Sequence, residues 1–317
     1  MPRRAAPAAL PLPDLVVLVL QGGGALGAFQ AGVYEALIDL GIELDWVAGI
    51  SIGAVNAAII AGNERDQAVG KMREFWEGVS SALPSLPTPD TDWAREWSHM
   101  AAAGQVMAFG VPGFFAPRFP PPALAARQTP EAVSFYDTAP LAATLDRLVD
   151  WDRVNGGKVR LSVGAVAVET GNFRYFDTTC DTIDARHILA SGALPPGLPP
   201  VEIDGHWYWD GGLVSNTPLQ HLLAQEEEMR SLVFQVDLFS ARGMLPRDMD
   251  DVLTRQKDIL YSSRTRQNTD SYRHIHDLKL QLREALKRVP PDQLTPLEKV
   301  QLERTSAPAS VNIIHLI

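Results

Sequence analysis

The chain of 317 residues holds one cysteine, Cys180. A single thiol excludes an intramolecular disulfide and any cysteine-based metal cluster, and nothing here needs an oxidising compartment. Long apolar runs are also missing. The stretch Leu15–Leu20 is far short of the ~20 residues that cross a bilayer, and too short for a signal-peptide core. Positive charge is scarce: 28 Lys and Arg face 38 Asp and Glu, a net charge of −10. That balance argues against nucleic acid, or a strongly anionic membrane, as a bulk electrostatic partner. Metal-ligand spacing is absent too, since His274 and His276 lie two apart, the wrong step for one helix face. No metal is expected. What is left is ordinary globular composition, 46% hydrophobic and 21% charged, enough for one large α/β domain with an appendage. A cytoplasmic location is the default expectation.

The order of elements is legible from periodicity. Leu15-Val-Val-Leu-Val-Leu20 is apolar without alternation, as expected for a strand buried on both faces. Phe29, Val33 and Leu37 recur every fourth residue until Gly41, which predicts a helix stopped by glycine. A strand over 44–50 and a small-residue helix over 54–61 follow, and this alternation implies a parallel sheet with helices on its faces. Further helices are expected over 64–80, from 137 or 138 to about 149, and over 183–191. Further strands are expected over 159–168, 173–176 and 232–239, with a hairpin over 201–209 turning at Asp204-Gly205.

Three regions result: a flexible tail over 1–13, a main α/β domain over 14–240, and a charged, mainly helical extension over 241–317. Residues 93–122 read as an aromatic, Pro-rich insertion, its apolar bulk including Trp93, Trp97, Phe109, Phe114, Phe115 and Phe119. The last strand, 311–317, has neither cap nor tail after it, so the natural chain is expected to run on.

Two glycine-rich corners carry the chemistry. Gly49-Ile50-Ser51-Ile52-Gly53 lies between a strand and a helix, an arrangement that lifts a serine hydroxyl out of a sheet as a nucleophile. Gly49 and Gly53 relieve the crowding at such an elbow. Gly22-Gly23-Gly24-Ala25-Leu26-Gly27 puts backbone N–H groups at a helix start, suited to a developing negative charge. Together they suggest acyl-ester cleavage. The first corner also fits the Gly-x-Gly-x-x-Gly of a dinucleotide site, with Asp45 where a ribose-binding acid belongs. A tight turn without a ligand is the third reading.

A serine nucleophile needs a base. None of the seven histidines stands out; His206 in the aromatic hairpin and His221 on a helix-surface pattern read as structural or solvated. Asp210, between Trp207-Tyr208-Trp209 and Gly211-Gly212, is the better candidate. Apolar neighbours raise a carboxyl group's proton affinity, and a carboxylate in reach of Ser51 acts directly as general base. On local sequence alone, a plain Asp-Gly-Gly turn is the favoured reading.

With Ala190-Ser191-Gly192-Ala193-Leu194-Pro195 added, these motifs stand in the order seen in the patatin-like phospholipase family, which the chain resembles over roughly residues 15–240. The conjunction demotes the dinucleotide reading. The resemblance implies a three-layer α/β/α sandwich with a mostly parallel central sheet, related to cytosolic phospholipase A2. It implies a Ser51–Asp210 dyad without histidine, and an oxyanion hole in the loop of Gly22, Gly23, Gly24 and Ala25. The implied reaction is cleavage of lipid carboxylic esters, of phospholipase A or lysophospholipase type, through an acyl-enzyme and without a cofactor. The implied partner is a lipid ester, met in transient contact with a membrane surface. A broad carboxylesterase, a storage-polyester hydrolase and a catalytically silent lipid- or protein-binding scaffold are the rival readings.

One departure is visible: Leu26 stands where the family usually has Arg or Lys. The aromatic insertion is read either as wall or lid of an acyl pocket or as ordinary packing. The C-terminal helices either dock on the core or pair with another copy.

Overall fold

The computed structural model describes residues 12–80, 106–119, 121–122, 129–224, 230–290, 292–304 and 311–317. Trp93, Trp97 and most of the expected tail lie outside the described residues. The chain opens with β1 (Leu15–Leu20), a 3-10 turn at Gly24–Gly27, α1 (Ala28–Asp39), β2 (Trp46–Ile50), α2 (Ile52–Ala61) and α3 (Arg65–Ser80). Next come β3 (Ala116–Pro117), β4 (Tyr136–Asp137), α4 (Ala139–Leu148), α5 (Trp151–Asn155), β5 (Arg160–Ala167), β6 (Phe173–Asp177) and α6 (Ala185–Gly192). β7 (Val201–Ile203), β8 (His206–Asp210), α7 (Leu219–Ala224), β9 (Ser231–Val236), α8 (Met249–Leu286), α9 (Pro296–Arg304) and β10 (Val311–Leu316) complete it.

The central sheet runs β10-β9-β1-β2-β5-β8-β7, with β6 also on β5. Strands β10, β9, β1, β2 and β5 are parallel, whereas β6, β8 and β7 join antiparallel. Alternation along β1 explains why its sequence is apolar throughout. Val16, Leu18 and Leu20 enter a large core with Tyr34, Val55, Ile59, Met72, Phe75 and Leu145 from α1 to α4. Val17 and Val19 enter a smaller one on the other face, with Trp46, Val233 and, from α7, Leu219 and Leu222. Helices therefore cover both faces, and the architecture is the expected three-layer sandwich. Each such large side chain, fully buried, contributes about 1.5–3 kcal/mol.

Local chemistry sets the pieces that hold the site. Every residue of α2 is buried, which its small side chains permit. The hairpin between β7 and β8 turns at Asp204 and Gly205, with φ of 51° and 80°. Two successive positive φ values make a turn whose twist suits antiparallel strands, and Asp-Gly is a favoured pair for it. The turn delivers β8, and with it Asp210, beside β5. In the described part of the insertion, Phe114 packs on Phe75 and Phe115 on Tyr136, while Phe109 and Phe119 are exposed.

Candidate active site

The parallel strands end together, and the site lies at their C-terminal ends. Ser51 follows β2 and precedes α2, with φ 55° and ψ −125°. A non-glycine residue in this region is strained, and such strain clusters at functional sites. The flanking glycines make the elbow sterically feasible. A Cβ on Gly49 would lie 2.2 Å from the Gly53 carbonyl oxygen, and one on Gly53 would lie 2.3 Å from that of Leu20. The Ser51 N–H donates to Ser191 Oγ at 3.0 Å, and the Ser191 hydroxyl donates to the Gly164 carbonyl at 2.7 Å.

Asp210 ends β8 and is 3% exposed. Its N–H donates to the Ala193 carbonyl at 3.0 Å, so the α6 C-terminus holds both Ser51 and Asp210. One carboxylate oxygen accepts the Gly212 N–H at 2.7 Å. Burial pushes the carboxyl up to about 6, against the opposing pull of the Gly212 N–H and the Ser51 hydroxyl. The strand period puts Tyr208 on Asp210's face; it is buried, whereas Trp207 and Trp209 are half-buried.

The glycine-rich loop lies alongside. Gly24 has φ 57°. Among the described residues, the N–H groups of Gly23, Gly24 and Ala25 have no protein acceptor, whereas Gly22 donates its own to the Asn216 carbonyl at 3.1 Å. Asn216 returns the bond from Nδ2 to the Gly22 carbonyl at 2.6 Å. Its Oδ1 lies where a Cβ on either Gly22 or Gly212 would intrude, at 2.4 Å and 2.9 Å. Asn216 thus bridges the glycine loop and the Asp210 loop. Leu26 is half-exposed.

Other residues singled out in the sequence lie elsewhere. Asp45 precedes β2, and the register Val17 with Trp46 sets it beside Val16 at the opposite end of the sheet. There its Oδ2 accepts the Val16 N–H at 2.7 Å, so the spacing that suggested a ribose acid reflects a strand-start cap. His206 is exposed, and His187 completes a capping box with Asp184. His221 is half-buried, stacked on Tyr175 at 4.2 Å and paired with Asp177 at 3.1 Å, the structural of its two readings. Among the described residues, no group of three or more His, Cys, Asp or Glu is placed to hold a metal ion. No described helix is long and apolar enough to cross a membrane.

Sequence reasoning gave no role to Asn216 or to Gln21. Ser191 lay inside a quoted motif, but its bond to the Ser51 N–H joins residues 140 apart and has no local signal.

The lysophospholipase NTE1 of Yarrowia lipolytica is 28% identical over 244 residues, covering 75% of this chain and 14% of the relative. The protein of the same name in Saccharomyces cerevisiae is 25% identical over 241 residues, covering 74% of this chain and 11% of its own. The chain therefore spans about a seventh or less of these relatives' length. The solved structure of VipD from Legionella pneumophila overlaps with a TM-score of 0.39 at 14% identity, covering 95% of this chain and 61% of that one. A family model described as patatin phospholipase matches residues 259–317. The model of the patatin-like phospholipase family matches residues 18–223, more than half of the chain, and the chain belongs to that family.

Proposed function

We propose that this protein hydrolyses carboxylic esters of lipids, with Ser51 as nucleophile and Asp210 as general base. The observation that carries this reading is a strained serine beside a buried carboxyl whose resolved partners, the Gly212 N–H and the Ser51 hydroxyl, are both neutral. A proton affinity near 6 lets one group accept a proton at neutral pH and return it within the same cycle. Asp210 takes the Ser51 hydroxyl proton as Oγ attacks the ester carbonyl carbon. Negative charge develops on the carbonyl oxygen, and the N–H groups of Gly23, Gly24 and Ala25, which have no acceptor among the described residues, receive it. Collapse breaks the bond to the alkoxide, which leaves with the proton from Asp210. Water then attacks the acyl-serine, passing a proton to Asp210. The second collapse frees the carboxylic acid and returns that proton to Ser51.

Lipid as the substrate class is supported by the family and by relatives that bear the name lysophospholipase. Exposed Leu26, Leu194, Leu213 and Val214 adjoin the glycine loop, the α6 end and the Asp210 loop in sequence. Apolar side chains at these positions suit a site that draws its ester from a lipid surface. The test is hydrolysis of a lysophospholipid and of 4-nitrophenyl esters of graded chain length by native protein and Ser51→Ala. Loss of at least about a thousandfold in kcat with the fold intact is expected. Turnover that survives Ser51→Ala contradicts the reading.

A further inference from the structure

Helix α8 is exposed for most of its 38 residues. In its middle turn, however, Ser262 and Thr265 are 4% and 5% exposed. Tyr261 there lays its ring against Phe239, with centroids 4.7 Å apart. Thr265 Oγ1 accepts from Gln21 Nε2 at 3.1 Å, lies 2.9 Å from Thr217 Oγ1, and donates to the Tyr261 carbonyl at 3.1 Å. A hydroxyl has one proton and two acceptor positions. With its proton on Tyr261, Thr265 receives from both Gln21 and Thr217 and is fully used.

These two partners flank the site. Gln21 is the residue before Gly22. Its Oε1 accepts the N–H groups of Leu238 and Phe239 at 2.5 and 3.3 Å, and its carbonyl accepts from Gln30 at 2.7 Å. Leu238 is the surface under the glycine loop, since a Cβ on Gly23 would come within 2.6 Å of its Cδ1. Thr217 is the residue after Asn216, which is bonded to Gly22 in both directions. An apolar side chain at 265 would dock a helix equally well; a hydroxyl is needed only to hold these two polar groups.

We propose that Thr265 is a positioning residue for acyl transfer. By fixing Gln21 and Thr217 it holds the glycine loop and the Asp210 loop in register, and so makes the C-terminal extension part of the catalytic apparatus. This rests on the assignment of Ser51 and Asp210 made above. A small displacement of such a loop misaims the donors for the oxyanion, which appears in kcat more than in KM.

The test uses the full chain as native protein, Thr265→Val, Thr265→Ser and Ser51→Ala. Steady-state kinetics on a soluble short-chain 4-nitrophenyl ester are read beside the rate of fluorophosphonate labelling and the Tm. Thr265→Val is expected to lose about tenfold in kcat and in labelling rate, with KM changed less than about twofold. Thr265→Ser, which restores the hydroxyl, is expected to recover to within about threefold of native. Native kcat and labelling in Thr265→Val overturn the proposal whatever its Tm, and so does a serine variant no better than the valine one. Should Thr265→Val not fold, Thr217→Val removes the Thr217 bond to Thr265 from the core side and leaves that of Gln21; a loss of about threefold in kcat is expected there, and native kcat and labelling overturn the proposal. Activity persisting in Ser51→Ala marks failure of the underlying reading instead.

Discussion

Asp177 and Asp210 occupy parallel positions: each is the last residue of a strand, β6 or β8, that pairs antiparallel with β5. They are 2% and 3% exposed. Burial raises the proton affinity of both, yet they end on opposite sides of the ordinary carboxylate value. Asp177 accepts from His221 at 3.1 Å, from Arg160 Nε at 3.0 Å, from the Ser162 hydroxyl at 2.5 Å and from the Thr179 N–H at 2.9 Å. Those donors, one of them a permanent cation, overcome burial and hold the carboxyl far below its usual range. Among the described residues Asp210 has only the Gly212 N–H and the Ser51 hydroxyl to oppose burial, and it stands at about 6. Burial alone does not make a base. What distinguishes the catalytic candidate is how few donors it is given.

The largest break in this comparison is Asp210→Asn. Turnover is expected to fall at least about a thousandfold, read as kcat on the short-chain ester. Stability should move the other way. Because the folded value lies above the unfolded 3.8, ionisation of Asp210 costs native stability progressively as pH rises from 3.8 through about 6. Removing the charge should therefore stabilise the protein above that window, by up to roughly 3 kcal/mol at 1.36 kcal/mol per pKa unit. Urea unfolding of both proteins across this pH range measures it.

Asp177→Asn should do the reverse. Its folded value is depressed, so its contribution is present above the unfolded value of 3.8 and is lost as pH falls toward the folded one. At neutral pH the variant leaves Arg160 and His221 without their anion, which should cost about 3–5 kcal/mol in urea unfolding. The pH midpoint of activity should stay in place. A shifted midpoint would mean that the two carboxylates are coupled.

The smallest effect expected is that of Ser191→Ala. The Ser51 N–H then loses its acceptor and the elbow loosens, for a loss of about tenfold in kcat with Ser51 still labelled. An unchanged kcat would show that the elbow is held by its glycines alone.

The sequence was most legible where the signal is local. The apolar run of β1, the glycine stop after α1 and the Asp204-Gly205 turn each follow from a few neighbouring residues, and the structure forms them. The elbow at Ser51 was legible because Gly49 and Gly53 meet each other across one turn. Asp210 was legible only in part: its apolar neighbours and glycines made it the better candidate, local sequence favoured a turn, and the resemblance decided between them, whereas the β5–β8 pairing that positions it has no local signal. Asp45 kept a rival reading open because spacing along the chain does not reveal which end of a sheet a residue occupies. The partner of His221 was hidden for a similar reason: its helical pattern carries no trace of Asp177, 44 residues away. The Gln21–Thr265 bond, across 244 residues, is beyond any reading of periodicity.

Whether Asp210 is the base for Ser51 is read most directly in the rate of fluorophosphonate labelling of Ser51 against pH, followed by intact mass, for native protein and Asp210→Asn. The native rate should climb with a midpoint at about 6 and level off above it, while Asp210→Asn should label slowly at every pH. Rapid labelling of Ser51 in Asp210→Asn, with the midpoint intact, would contradict the claim and assign the proton to another group.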